Sequence, residues 1–232
     1  LKISDHKFKL KQMVSSKWLF GIPSYIGTGI AIASSSKNII PFWFDNFVND
    51  EYQAFTSVIE IKTRSYIKAI PQGFLNLTSL KLNSRDSLKI YLRNQSSPFE
   101  IIDSAISIID SVTFESEMIF NNALQGNYYV ELKHRNSIKI WSNTSVLYSD
   151  VNGLNYDFTD SSNKAFGSNL HFNNNYWCMF SGDVNQDGII DLEDVSLVEN
   201  GIFNSNSGYI NSDMNGDGIV DSSDMMLVEN NS

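Results

Sequence analysis

Near the C-terminus, oxygen-bearing side chains recur in an order that suits a hard divalent cation. Asp183, Asn185, Asp187, Asp191 and Asp194 stand at positions 1, 3, 5, 9 and 12 of one segment, and Ile189 offers its carbonyl at position 7. Asp213, Asn215, Asp217, Asp221 and Asp224, with the carbonyl of Ile219, repeat the pattern 30 residues later. Calcium takes six to eight oxygen ligands, and a twelve-residue loop supplies them from these positions, position 9 often through water. The sharp turn at position 6 calls for glycine, and Gly188 and Gly218 stand there. Four aspartates in one short loop repel one another at separations of several Å. A bound divalent ion removes that repulsion, so folding and metal binding are expected to be coupled. One such segment alone could be an acidic, solvated loop; two complete copies point to two Ca2+ ions. The dedicated oxygen cage suits calcium better than magnesium.

The elements that hold these loops should be short helices. Val195–Asn200 and Met225–Asn230 follow the two loops, and Val195, Val198, Met225 and Val228 are placed to bury against each other. Gly201 suits a helix stop. Ile190 and Val220, β-formers at position 8, are expected to pair the loops back to back and turn their side chains into the core. No apolar-periodic helix precedes either loop, and position 12 is Asp where an EF-hand has Glu.

A duplicated loop–helix unit of this kind, from about Gly182 to Ser232, resembles the dockerin family. The resemblance implies a small helical, two-calcium module that plugs into a cohesin partner. Small hydroxyl residues at positions 10 and 11 contact that partner in many dockerins. Here they are Leu192-Glu193 and Ser222-Ser223, so only the second copy keeps that character. The partner is therefore expected to be a cohesin-like protein, or else the neighbouring domain or subunit.

Charge follows the same division. Eleven of the 26 acidic residues lie between Ser181 and Ser232, where there is no Lys or Arg; the rest of the chain carries 15 acidic and 17 basic groups. No basic patch with interleaved aromatics suggests a nucleic-acid partner. No run of apolar residues is long enough to span a bilayer. Leu1–Lys7 show neither an initiator Met nor an apolar segment, the pattern of a mature fragment or the end of a longer polypeptide. The lone Cys178, between Trp177 and Met179, is expected to be a buried small apolar side chain.

The remaining chain reads as β-structure. Leu88, Ile90 and Leu92 alternate with polar residues; Val112, Phe114, Ser116, Met118 and Phe120 do the same, as do Tyr128, Val130, Leu132 and His134, and Ile138 with Ile140. Such short period-2 runs between Asn, Ser, Gly and Pro clusters suggest a sandwich. Ile30–Ala33, Ile39–Phe44 and Tyr52–Ile59 read as earlier strands, with a hairpin loop at Ser34–Asn38. The expected fold is mainly β: residues 1–70 a β-rich segment, 71–178 an Ig-like β-sandwich, and 181–232 the helical calcium module.

The segment Asn127–Ser142, with Asn155–Thr159 and Ala165–Gly167, resembles the sandwich placed before dockerin-like tails in secreted surface proteins of the Bacteroidetes–Ignavibacteria group. The stretch Tyr25–Gly27, Ile30–Ala33, Phe42–Asp45 and Tyr52–Phe55 resembles the last blade of a sialidase-like β-propeller. Its Asp45-Asn46 is followed by Phe47 where the propeller pattern has Arg, and no Asp-box is present.

The sequence holds no catalytic constellation. Asp45, Asp50, Glu51 and Glu60 single out no pair for glycoside hydrolysis, and His6, His134 and His171 lack zinc spacing. His134-Arg135-Asn136 has the residue types of a phosphoryl-transfer catalytic loop, but no phosphate loop, strand Lys or Asp-Phe-Gly accompanies it. A His and Arg that cross-bond loops is the preferred account. The expectation is a non-catalytic, calcium-stabilised interaction or structural region of a secreted or cell-surface multidomain protein. The alternatives are the accessory end of a sialidase-like or other glycoside hydrolase, with polysaccharide as a second partner class, and a subunit of an extracellular assembly or filament.

Overall fold

The computed structural model describes residues 30–34, 38–48, 51–56, 59–60 and 63–232. Tyr25–Gly27 of the propeller resemblance, the central part of the expected loop at Ser34–Asn38, and the candidates His6 and Asp50 lie outside the described residues. The chain forms two compact units, Leu1–Lys62 and Thr63–Ser232.

In the first unit, β1 (Ile30–Ser34), β2 (Asn38–Val48) and β3 (Glu51–Thr56) form an antiparallel sheet in that order, and β4 (Ile59–Glu60) pairs with the start of β2. The described parts of the run expected from Tyr52 to Ile59, in β3 and β4, pair with β2 in one register, Phe42 opposite Thr56 and Ile39 opposite Ile59. Asp45 and Asn46 sit in β2, opposite Gln53 and Tyr52 of β3.

The second unit begins with β5 (Ser65–Lys68), β6 (Leu75–Asn76), β7 (Lys81–Leu82) and β8 (Ser87–Arg93). It continues with β9 (Ile101–Ile108), β10 (Glu115–Met118), β11 (Gly126–Lys133), β12 (Ile140–Trp141) and β13 (Val146–Tyr148). The last strands are β14 (Asn155–Asp157), β15 (His171–Asn173) and β16 (Tyr176–Cys178), followed by helices α1 (Leu192–Phe203) and α2 (Ser222–Asn231). One sheet runs β12-β11-β8-β9, with β13 also on β11; a second runs β10-β5-β14, its β5–β14 pair parallel. Side chains of both sheets enter one core: Leu88, Ile90 and Leu92 of β8, Val130 and Leu132 of β11, Ile67 of β5 and Met118 of β10. Alternation along β8 puts its apolar residues inside and Lys89 outside, as a half-buried strand requires.

Two period-2 expectations fail at their ends. Val112 is exposed, because the Asp110 carboxylate accepts the backbone N–H groups of Val112 and Thr113 and turns the chain there. His134 is buried but lies just past β11, directly before the turn at Arg135-Asn136. Cys178 is fully buried, and burial pushes its thiol pKa up to about 12, which makes it unreactive as a nucleophile at neutral pH. Among the described residues no helix is long and apolar enough to cross a membrane.

Candidate metal centre

Each acidic loop is built on the N-terminus of the helix that follows it. Asp191 caps α1, accepting from Glu193 N at 2.8 Å, and the Asp194 carboxylate reaches back to accept Asp191 N at 3.1 Å. Asp221 and Asp224 repeat this reciprocal capping box on α2, at 2.7 and 3.0 Å. Positions 9 and 12 of each loop are thus also the N-cap and N3 of a helix, where a carboxylate satisfies donors that have no partner within the helix. The sequence pattern places the first helix from Val195; the cap starts it three residues earlier, at Leu192.

The position-12 carboxylates also close the loops. Asp194 Oδ1 accepts Val184 N at 2.7 Å and Asn185 N at 3.1 Å, and Asp224 Oδ1 accepts Met214 N and Asn215 N at the same two distances. Positions 3 and 5 interlock similarly: Asn185 Oδ1 accepts Asp187 N, Asp187 Oδ1 accepts Ile189 N, and Asn215, Asp217 and Ile219 repeat this. The repeat seen in the sequence is therefore a repeat in space, down to individual hydrogen bonds.

Among the described residues, no three His, Cys, Asp or Glu side chains are gathered tightly enough to enclose an ion as they stand. Each position-12 carboxylate spends three acceptor sites on backbone N–H groups. The donor set nonetheless fits a hard cation, and Asp183 shows why. It is 2% exposed, and its Oδ1 is buried with no hydrogen-bond partner. A buried carboxylate oxygen without a partner is costly, and a cation removes that cost. Burial, and then repulsion from Asp194 and Asp187, raises the Asp183 pKa above its ordinary value. Burial likewise raises Asp213, against the opposing charge of Arg135, and Asp224, where the charge of Asp213 adds to the effect. These are anions short of countercharge.

Behind the loops lies a small core of Val184, Val198, Met214, Val220 and Val228, with Ile190, Val195 and Met225 packed against it. Val198 and Val228 are buried as expected, and Val195 and Met225, expected to bury with them, are half-buried. Two other expectations are corrected. Gly201 lies inside α1 and does not end it; a Cβ there would sit 2.9 Å from Val220 Cγ1, so the glycine permits close packing of helix on loop. The backbone of Val220 also does not pair with that of Ile190. Val220 N donates to Asn206 O and Gly208 N to Gly218 O, so the second loop pairs with the linker between the repeats.

Among the described residues, only the second loop is also held by sandwich side chains. Arg135 donates from Nε to Asp86 Oδ2 at 2.8 Å, from one terminal nitrogen to the carbonyl of Ile210, and from the other to Asp213 Oδ2 at 3.3 Å. Its guanidinium lies over the rings of Tyr209 and Phe74, 4.7 and 5.4 Å from their centroids. Asn136 Nδ2 donates to Asp213 O and Asn83 Nδ2 to Asn215 O, both at 2.9 Å. His134 Nε2 is 3.4 Å from Asp86 Oδ2. The segment His134–Asn136 does cross-bond loops, and two of its bonds go to Asp213 of the second acidic loop.

Two glycines make this approach possible. A Cβ on Gly73 would meet Met214 O at 2.3 Å, and one on Gly216 would meet Phe74 Cε1 at 2.3 Å. Gly216 stands at position 4 with φ +74°; in the first loop Gln186 takes that position at φ +65°, and its side chain donates to Asp183 O. At the far end, Asn231 Nδ2 donates to Gln72 Oε1 and Ser181 O. The module thus meets the sandwich at its first residue, its second loop and its last helix. Sequence reasoning missed Asp86, Tyr209, Gln72, Gly73 and Asn231, and the substitution of Gly for Gln at position 4 was the one available sign that the two loops differ in surroundings.

With this geometry established, comparison with known proteins assigns the tail. Residues 181–231 match the family model of the dockerin type I domain. The dockerin match spans both loops and both helices, and dockerins are non-catalytic, calcium-binding interaction modules. Two solved structures from Acetivibrio cellulolyticus, a C-terminal and an N-terminal interface mutant of a type II cohesin–X-dockerin complex, are similar to the chain at 17% identity. Each alignment covers 73% of this chain and 94% of the other, with TM-scores of 0.44 and 0.39. Comparison with curated proteins gives no match.

Proposed function

We propose that residues 63–232 form a non-catalytic docking region in which two Ca2+ ions order a dockerin module carried on a β-sandwich. The first ion would be held by Asp183, Asn185, Asp187, the Ile189 carbonyl, Asp191 and Asp194. The second would be held by Asp213, Asn215, Asp217, the Ile219 carbonyl, Asp221 and Asp224. The observation that carries this reading is the buried Asp183 oxygen without a partner, set in a loop whose other acceptors are already organised. The sandwich, read as Ig-like, serves as the platform, and residues 1–62 as a separate β-rich segment.

The docking partner is read as a cohesin-like protein outside the cell. In support, α1 exposes Leu192 and Phe203 at 79% and 88%. A partner with basic groups would complement a module that has acidic side chains and no Lys or Arg.

Calcium titration of the metal-free chain tests the first claim, with uptake of two ions as the expected result. Absence of uptake, or two sites surviving in the D183A/D213A double variant, would overturn it. Calcium-dependent binding to an isolated cohesin, lost in chelator, tests the second.

A further inference from the structure

The two loops have nearly the same internal hydrogen bonds, and they differ in what neutralises position 1. Asp183 Oδ1 has no partner, and the Asp183 carbonyl is capped from within its own loop by Gln186 Nε2 at 2.7 Å. Asp213 is equally buried, but its Oδ1 accepts Gly216 N at 2.9 Å and its Oδ2 faces Arg135 at 3.3 Å. The Asp213 carbonyl is capped by Asn136 of the sandwich. Arg135 is not free to leave: Asp86, the Ile210 carbonyl, Tyr209 and Phe74 fix it.

We propose that Arg135 is a built-in countercation for the second loop, so that the two loops take calcium unequally, the first more tightly. The inference rests on the calcium reading above and deepens it. A calcium ion entering the first loop gives an unpartnered, desolvated oxygen its only counterion. An ion entering the second must share Asp213 with a fixed guanidinium, whose positive charge also opposes it. Repulsion between a unit cation and a divalent ion that share one carboxylate, even in surroundings as polarisable as water, shifts binding on the order of tenfold. The bracing of the second loop by Asn83 and Asn136 works in the opposite direction, by pre-ordering its backbone, and those contacts do not involve Arg135.

This arrangement gives the module a division of labour. Arg135 keeps the second loop on the sandwich before calcium arrives, and the first loop carries the steep response to the ion.

The test is calorimetric titration of the chelator-stripped full chain with calcium chloride, with D213N and D183N used to assign each step to a loop. The wild type should show two steps on the order of tenfold apart, with the tighter one kept in D213N and the weaker one in D183N. R135Q should tighten the weaker step and leave the tighter one in place. R135K, which retains a cation at this position, should preserve the gap and serves as the folded reference if R135Q unfolds. Two equal steps in the wild type, a weaker second step in R135Q, or a gap lost in R135K would each overturn the proposal. No uptake at either loop would instead overturn the calcium reading itself.

Discussion

The Tyr209 hydroxyl, on the linker between the two acidic repeats, donates to Asp86 Oδ1 of the sandwich at 2.6 Å. Asp86 is 1% exposed and also accepts from Ser87 N and Arg135 Nε. A charge so deeply buried is tolerated because its neighbours supply donors and one fixed cation. Removing one side of such a pair strands the other. D86N should therefore destabilise the second unit by about 3–5 kcal/mol, whereas Y209F, which removes one hydrogen bond to a charged group, should cost about 1.5–3 kcal/mol. Denaturant unfolding of both variants checks the order. Equal and negligible losses would mean that the network contributes nothing to stability.

The same carboxylate sets an acid limit. Burial alone would raise the Asp86 pKa, but its contacts with His134, Tyr209 and Arg135 outweigh that and hold it well below the usual carboxylate range. A depressed folded pKa gives stability that is fully present above the unfolded value of about 4. That contribution declines as the pH falls below it toward the folded value. Asp183, Asp213 and Asp224 have the opposite shift, so the wild type alone mixes the two effects. The difference in stability between wild type and D86N isolates Asp86: it should be level from neutral pH down to about 4 and shrink below that.

Glycine positions separate strain from collision. Gly188 and Gly218 have φ +96° and +85°, and a Cβ added at either would meet only open space, so alanine there bears only the left-handed penalty of about 1–2 kcal/mol. Alanine at Gly216 meets that penalty and the Phe74 ring, and alanine at Gly73 meets a backbone carbonyl. G216A should lower the melting temperature more than G188A does, with overpacking adding about 1–3 kcal/mol. G73A should loosen the module from the sandwich, read as faster hydrogen exchange at the second loop.

Gly201 offers a test in which two effects oppose. Alanine in a helix interior is favoured over glycine by about 1 kcal/mol. Here its Cβ would lie 2.9 Å from Val220 Cγ1 and 3.2 Å from Ser212 Oγ, and crowding of that kind costs about 1–3 kcal/mol. G201A should therefore be destabilising in thermal melts. A stabilised variant would show that helix and second loop have room to separate.

Much of the candidate site was legible because it is local. The ligand positions 183–194 and 213–224, the glycines at position 6 and the helices that follow all depend on residues within a dozen positions of one another. Short-range hydrogen bonds such as Asp194 to Val184 N then build the loop wherever the chain places it. Strands β8 and β11 were legible for a similar reason, since a half-buried strand shows its inner face as a period of two. Along β9 the exposed Ile106 and Ile108 alternate with Ala105 and Ser107, and the buried Asp103 lies on the inner side. A register shift against β8 puts the exposed Ile101 out of phase, so the sequence shows no clear inner face there. Gly201 was misplaced because glycine in a sequence marks both helix ends and close contacts, and only the neighbour decides which.

By itself, the sequence determined the chemistry of the tail: two oxygen-rich loops, their spacing, and the helices they cap. Only the tertiary structure decided that the two loops are not equivalent. Arg135, Asn136 and Asn83 lie between 77 and 132 residues from the atoms they hold, and no local pattern encodes contacts across such separations. They arise from the packing of Gly73 on Met214 and of Phe74 on Gly216, where the absence of two side chains lets one loop, and not its twin, rest on the sandwich.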